Sequence, residues 1–149
     1  MAISEPRVLD HVEFQVEAGK IREFVRATFA EDPVHTSADV ARDAGYLAEL
    51  ATATHVVVAG HFRDQQAMVT ALGLSLERVV VGSVSWKYAR PVVSGDRLRG
   101  TRRVVSDEQR EGKRGGSMRM VTLETEYVDD GDEPVVRVRE LLIERGTSS

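Results

Sequence analysis

The stretch from Leu50 to Leu72, LATATHVVVAGHFRDQQAMVTAL, constrains the rest of the chain most. It holds no proline and one glycine, and Gly73 follows it as a helix-ending residue. Its first half, through Phe62, is apolar on nearly every side (Leu50, Ala51, Ala53, Val56, Val57, Val58, Ala59, Phe62). Its second half sets Arg63, Asp64, Gln65 and Gln66 against Met68, Val69 and Leu72. A helix that is apolar all round is a buried one. The pattern therefore predicts one helix, roughly 30 Å long, with its first half enclosed and its second half emerging into solvent. The β-branched run Val56–Val58 opposes this on propensity and fits a strand. Length and the absence of flanking turn signals decide for the helix.

What encloses that helix is read from the flanks. His11–Val16 alternates as a short strand after a lead-in of ten residues, and Glu17–Phe29 switches to helical spacing with Ile21, Phe24, Val25 and Thr28/Phe29 as its stripe. Pro33 ends that helix, and a short helix Ser37–Ala44 follows, capped by Thr36 or Ser37 and closed by Gly45. His35 thus falls in a loop just before a helix start. After Gly73 come extended segments at Arg78–Arg90, Arg97–Ser106, Met118–Val128 and Val135–Glu144, separated by VSGD, a polar loop with a basic tip (Arg110, Lys113, Arg114) and DDGDEP. Val80, Gly82, Val84, Trp86 and Tyr88 are predicted to share one face, with Gly82 allowing close approach by the central helix. Four consecutive strands joined by hairpins, with one buried helix on a face, make an α+β arrangement. It is the description of a hot-dog fold, an antiparallel sheet wrapped around a long central helix. The 149 residues suit a single domain with its core between about residues 11 and 145 and a frayed tail at 146–149.

Composition excludes several classes of function. There is no cysteine, which removes thiol catalysis and disulfides and fits a cytoplasmic protein. The net charge of -4 gives no global attraction to nucleic acid or an anionic membrane. No apolar run reaches membrane-spanning length, and the first ten residues lack a signal-peptide core. His11, His35, His55 and His61 have no ligand spacing, so neither a metal nor another cofactor is implied.

Two stretches carry a resemblance. WKYARPVVSGDRLRG (Trp86–Gly100) is similar to the strand–turn–strand of MaoC-like hydratases and dehydratases, where an aromatic residue precedes Arg-Pro, a spacer and Gly-Asp. EDPVHTSADVARDAGY (Glu31–Tyr46) resembles the same family's motif Asp-x-Asn-Pro-aliphatic-His, continuing into a short helix that ends in Gly. The branch it resembles is that of the fatty-acid-synthase-type dehydratase domains, including the substrate-binding subunits of heterodimeric (3R)-hydroxyacyl dehydratases. The resemblance implies reversible loss of water from a 3-hydroxyacyl thioester, on CoA or acyl carrier protein, to give a trans-2-enoyl thioester. An Asp and a His then act on the C2 proton and the C3 oxygen, and backbone N–H groups near the start of the central helix bind the thioester carbonyl. It also implies a homodimer, or a heterodimer with a MaoC-like catalytic subunit.

Carried onto this chain, the resemblance makes His35 the acid/base residue and places Asp32 at the Asn position. The catalytic Asp position falls on Ala30, leaving Glu31 or Asp32 as the available carboxylates. Thr52 takes a Pro position and His55 an aromatic one in the loop before the central helix; Thr52, Thr54, His55 and Trp86 are the implied substrate-binding set. Two readings of different class stand beside each other: a dehydratase/hydratase with His35 as its acid/base group, and a non-catalytic acyl-binding subunit whose partner supplies the Asp–His pair. A third, thioester hydrolysis, needs a carboxylate on the central helix, for which Glu49 and Asp64 are the choices.

Overall fold

The computed structural model describes residues 2–112 and 115–146. The chain runs β1 (Ala2–Gln15), α1 (Ala18–Thr28), a 3-10 turn at Pro33–His35, α2 (Ala38–Asp43), a 3-10 segment at His55–Phe62 and α3 (Gln65–Ala71). A 3-10 turn at Leu76–Arg78 then leads into β2 (Val79–Tyr88), β3 (Arg97–Glu111), β4 (Ser117–Val128) and β5 (Pro134–Arg145). All five strands form one antiparallel sheet in the order β1-β3-β4-β5-β2. The fold is α+β, as the sequence predicts. Among the described residues no helix is long and apolar enough to cross a membrane.

Several elements depart from their sequence reading, each for a local reason. The ten-residue lead-in is strand from Ala2 onward, paired to β3. Most of the predicted polar loop after Ser106 is also strand: Ser106–Glu111 pairs with Ser117–Thr122, and Arg110 ion-pairs with Glu108 at 2.9 Å. Lys113 and Arg114 of the basic tip, and residues 147–149 of the predicted frayed tail, lie outside the described residues. Phe29 leaves the α1 stripe; it ends the helix in the left-handed region (φ 56°) and is 88% exposed. β2 and β3 are not a hairpin, because β2 crosses to the far edge and pairs with β5. Gly82 meets β5 side chains rather than the central helix: a Cβ there would sit 2.7 Å from Ile143 Cδ1. It lies at a bulge between Val81 and Ser83, which flips the strand's phase, so Val79 packs on one part of the core and Val84 and Trp86 on another.

The long central helix is broken. Val56–Val58 resists the α conformation and takes 3-10 geometry, Arg63 is extended (φ -117°, ψ 147°), and Asp64 starts α3 afresh by accepting from the Ala67 N–H at 2.8 Å. Enclosure does not follow the predicted split: in the first half Val56 and Ala59 are buried but Val57 and Phe62 are 52% and 62% exposed, while Val69 and Leu72 of the second half are buried.

The Arg-Pro…Gly-Asp motif is architectural. Arg90 donates to both Asp96 oxygens (2.9 and 3.1 Å) and to Asp129 (3.3 Å), while Asp96 also accepts from the Val93 N–H at 3.0 Å. Gly95, at φ 95°, and Asp96 bond the backbone of Val16 from either side, so this turn is fastened to the end of β1.

The inner face of the sheet is layered in rungs. Val12, Gly100, Tyr127, Val136 and Tyr88 are in register across all five strands, and so are Asp10, Arg102, Thr125, Val138 and Trp86. Val12, Tyr127 and Val136 of the first rung belong to an apolar cluster with Phe14, Ile21, Val25, Val56 and Ala59; a second cluster holds Val104, Leu123, Leu142, Val69 and Leu72. The rung carrying Arg102 separates them. Gly100 is required by its neighbour: a Cβ there would lie 2.6 Å from the Tyr127 ring. His55 is buried (1% exposed) edge-on to Phe24, with neither ring nitrogen hydrogen-bonded, and its burial pushes its pKa below the ordinary value.

Gly100→Ala should therefore displace Tyr127 and destabilise the fold by about 1–3 kcal/mol, read as a lowered thermal midpoint. Because folded His55 resists protonation, the unfolded chain takes up the proton first as pH falls past 6.5. Stability should decline below that pH, and His55→Phe should flatten the decline, measured from thermal midpoints at about pH 7.5 and pH 5.5.

Candidate active site

His35 closes the 3-10 turn that Pro33 begins, and the Asp32 side chain caps that turn by accepting from the Val34 N–H at 3.0 Å. The half-buried imidazole reaches across to the Leu50 carbonyl, with Nδ1 at 2.6 Å. A carbonyl only accepts, so Nδ1 carries a proton, and in the neutral ring Nε2 holds the lone pair. The Leu50 N–H in turn donates to the Val34 carbonyl at 3.0 Å, stitching the His35 turn to the loop that enters the His55–Phe62 segment. The same loop is zipped to the β2–β3 connection by Ala51 N–H to Val92 O (2.9 Å) and Ser94 N–H to Glu49 O (2.9 Å). The His35 ring is thus tied to Leu50, two residues before Thr52.

The predicted carboxylates are not brought to it. Asp32 is committed to its cap, Glu31 is exposed, and no described residue joins a carboxylate to the His35 ring by a hydrogen bond. Ala30, at the position of the expected Asp, is half-buried against the apolar cluster. Chemically this gives one proton-transfer group where dehydration uses two.

Of the implied substrate-binding set, Thr52 and His55 both lie in the loop and the first turn, with buried side-chain polar atoms that have no partner. Thr54 precedes the 3-10 segment without capping it. The N–H groups of Ala53 and Thr54 make no hydrogen bond among the described residues, while the Ala53 carbonyl accepts from the Tyr88 hydroxyl. Of the carboxylates for hydrolysis, Asp64 caps α3 and Glu49 joins the site through its backbone alone.

Trp86 lies elsewhere, in a cavity of about 200 Å³ between the 3-10 segment and the sheet. Its walls include Val56, Ala59, Val84 and Val138, but also Arg63, Gln65, Arg102, Tyr127 and Glu140. Asp10 holds both arginines: Arg102 pairs with it through Nε at 3.2 Å and through Nη2, and Arg63 Nη1 lies 3.5 Å from it. Arg63 also donates to the Tyr127 hydroxyl (3.3 Å), and Arg102 to Gln65 (3.3 Å). Burial, the largest influence on Tyr127, pushes its pKa up. Sequence reasoning assigns none of this cluster except Trp86 to a site, and it places Arg63 and Gln65 on the polar side of a helix. One signal was available: Arg102 interrupts the alternating inward row Leu98, Gly100, Val104.

Residues 6–138 match the family described as FAS1-like, dehydratase domain region. A UPF0336 protein of Leifsonia xyli is 36% identical over 134 residues, covering 89% of this chain and 87% of the relative. A UPF0336 protein of Clavibacter michiganensis is 37% identical over 128 residues, covering 85% and 83%. Among solved structures, the (3R)-hydroxyacyl-ACP dehydratase complex HadBC of Mycobacterium tuberculosis is similar with a TM-score of 0.76 at 23% identity, over 94% of this chain and 98% of that one. The ChsH1–ChsH2 complex of the same organism gives 0.67 at 16%, over 96% and 100%. These likenesses bear out the hot-dog fold, and with the family match spanning most of its length the chain belongs to the FAS1-like dehydratase domains, the MaoC-like hot-dog proteins.

Proposed function

We propose that this chain is the acyl-binding subunit of a (3R)-hydroxyacyl-thioester dehydratase, acting on a CoA or acyl-carrier-protein thioester, and that a partner subunit supplies the complete Asp–His pair. The observation that carries this is the isolation of His35: its ring is held by a backbone carbonyl, and Ala30 stands where the second proton-transfer group belongs. The free N–H groups of Ala53 and Thr54, beside the unpartnered Thr52 and His55, suit the thioester carbonyl. A partner has somewhere to dock. β2 is an edge strand whose outer backbone groups are unpaired, and Val80 and Val81 are 39% and 60% exposed. The HadBC and ChsH1–ChsH2 neighbours are themselves complexes of two different chains.

A second reading is supported by the tautomer of His35. With Nδ1 bound to Leu50, Nε2 is a competent base, and the chain would then be a self-sufficient hydratase/dehydratase with a single acid/base residue.

The purified chain is expected to be stabilised thermally by acyl-CoA and to leave the absorbance of trans-2-enoyl-CoA unchanged. Combined with a MaoC-like chain carrying an intact Asp-x-Asn-Pro-x-His motif it should hydrate the enoyl thioester, and His35→Ala should change that rate by less than about twofold. Hydration by the chain alone, lost by about a hundredfold or more in His35→Ala, would select the second reading.

A further inference from the structure

The cavity between the 3-10 segment and the sheet has a chemistry that a plain hydrocarbon chain does not use. Arg63 and Arg102 have side chains only 4% and 3% exposed, and both line it. Arg63 Nε and Trp86 Nε1 are buried hydrogen-bond donors without an acceptor. Glu140, also on the wall, is half-buried and makes no hydrogen bond or ion pair among the described residues. Asp10, behind the wall, pairs with both guanidiniums and Glu140 adds a second carboxylate, so the formal charges in and just behind the lining cancel while the lining stays strongly polar. Leaving such groups without partners is costly, and packing alkyl carbons against them does not relieve that cost.

The position of the cluster is equally specific. Eight residues of 3-10 helix, at about 2 Å each, put Arg63 roughly 16 Å from the start of the segment, where the thioester is placed by the proposed function. The apolar residues Val56, Ala59, Val84 and Val138 line the same cavity. We propose that it receives the distal part of the acyl group and selects one bearing an uncharged oxygen, above all a hydroxyl, remote from the reacting carbons. A hydroxyl both accepts and donates, so it can take the proton of Arg63 Nε or Trp86 Nε1 and give its own to Glu140. A terminal carboxylate would meet Glu140 as a like charge, and a methyl terminus would leave all three groups unpaired. The inference rests on the acyl-binding reading and extends it to the substrate class.

Trp86 is the chain's one tryptophan, so its fluorescence reports occupancy of this cavity directly. The test titrates the native chain with medium-chain acyl-CoA, ω-hydroxyacyl-CoA and ω-carboxyacyl-CoA over matched ranges of length. The ω-hydroxy series should bind tightest, by roughly tenfold or more at its best length, and Arg63→Met should bring it down to the level of the unsubstituted series. The native ranking decides the matter even if that variant does not fold. Equal or tighter binding of the unsubstituted series overturns the inference and leaves the acyl-binding reading standing. Tightest binding of the ω-carboxy series overturns the uncharged character assigned here. Failure of all three series to bind, with the cavity filled by water alone, overturns both this inference and the acyl-binding reading beneath it.

Discussion

Asp10 is the point on which the interior is hung. Its carboxylate, on edge strand β1, engages Arg102 from the neighbouring strand and Arg63 from the layer above the sheet. Two buried guanidiniums would be untenable alone; one shared carboxylate, with the Tyr127 hydroxyl and the Gln65 amide, gives every guanidinium nitrogen except Arg63 Nε a partner. The arrangement needs Arg63 and Gln65 to face the sheet together. Two residues apart on a continuous α-helix they would point in different directions. The break after Phe62 removes that conflict, so the interruption of the central helix and the polar layer between the two apolar clusters are one feature seen from two sides.

That coupling shows why parts of the chain were legible in the sequence and others were not. Ser37 and Asp64 are strong caps, and α2 and α3 begin where they say; Asp64 could also have announced that a new helix starts there, against the length argument that joined Leu50 to Leu72. β4 was readable because its residues alternate steadily from Val121 to Val128, and β5 because its apolar residues are bounded by turn signals despite the adjacent buried pair Val135 and Val136. β2 was misphased because a bulge at Gly82 leaves no mark on composition. Its crossover to the far edge was invisible because strand order depends on partners remote in the chain. Within the site, the motif located His35, yet its tie to Leu50 links positions 15 residues apart and the Asp10–Arg102 pair links positions 92 apart. Local spacing carries no information about such pairs.

The proposed division of labour rests on what surrounds His35. His35 sits in a well-fastened framework: the Pro33 turn, the Asp32 cap, the backbone stitches to Leu50 and the Arg90–Asp96 clamp under the next turn. Under the proposed function the missing part is a second proton-transfer group, and Ala30, which falls at its position in the resembled motif, packs against the apolar cluster instead. Such a framework without that group is what a chain would show if its structural role in an assembly had outlived its share in proton transfer.

The placement of β2 also has a consequence for how the molecule comes into being. Among the described residues β2 pairs within the sheet only with β5, and the paired residues lie 48 to 65 positions apart, from Tyr88 with Val136 to Val79 with Glu144. As the chain leaves the ribosome, β2 emerges long before the strand that will hold it, and loop closure over that distance must precede any reward. The wall that carries Trp86 is thus completed late, when β1, β3 and β4 can already have joined. Until then Val80, Val81 and Val84 are open to the surroundings, and this interval is when the nascent protein is most exposed to wrong partners and most open to the right one.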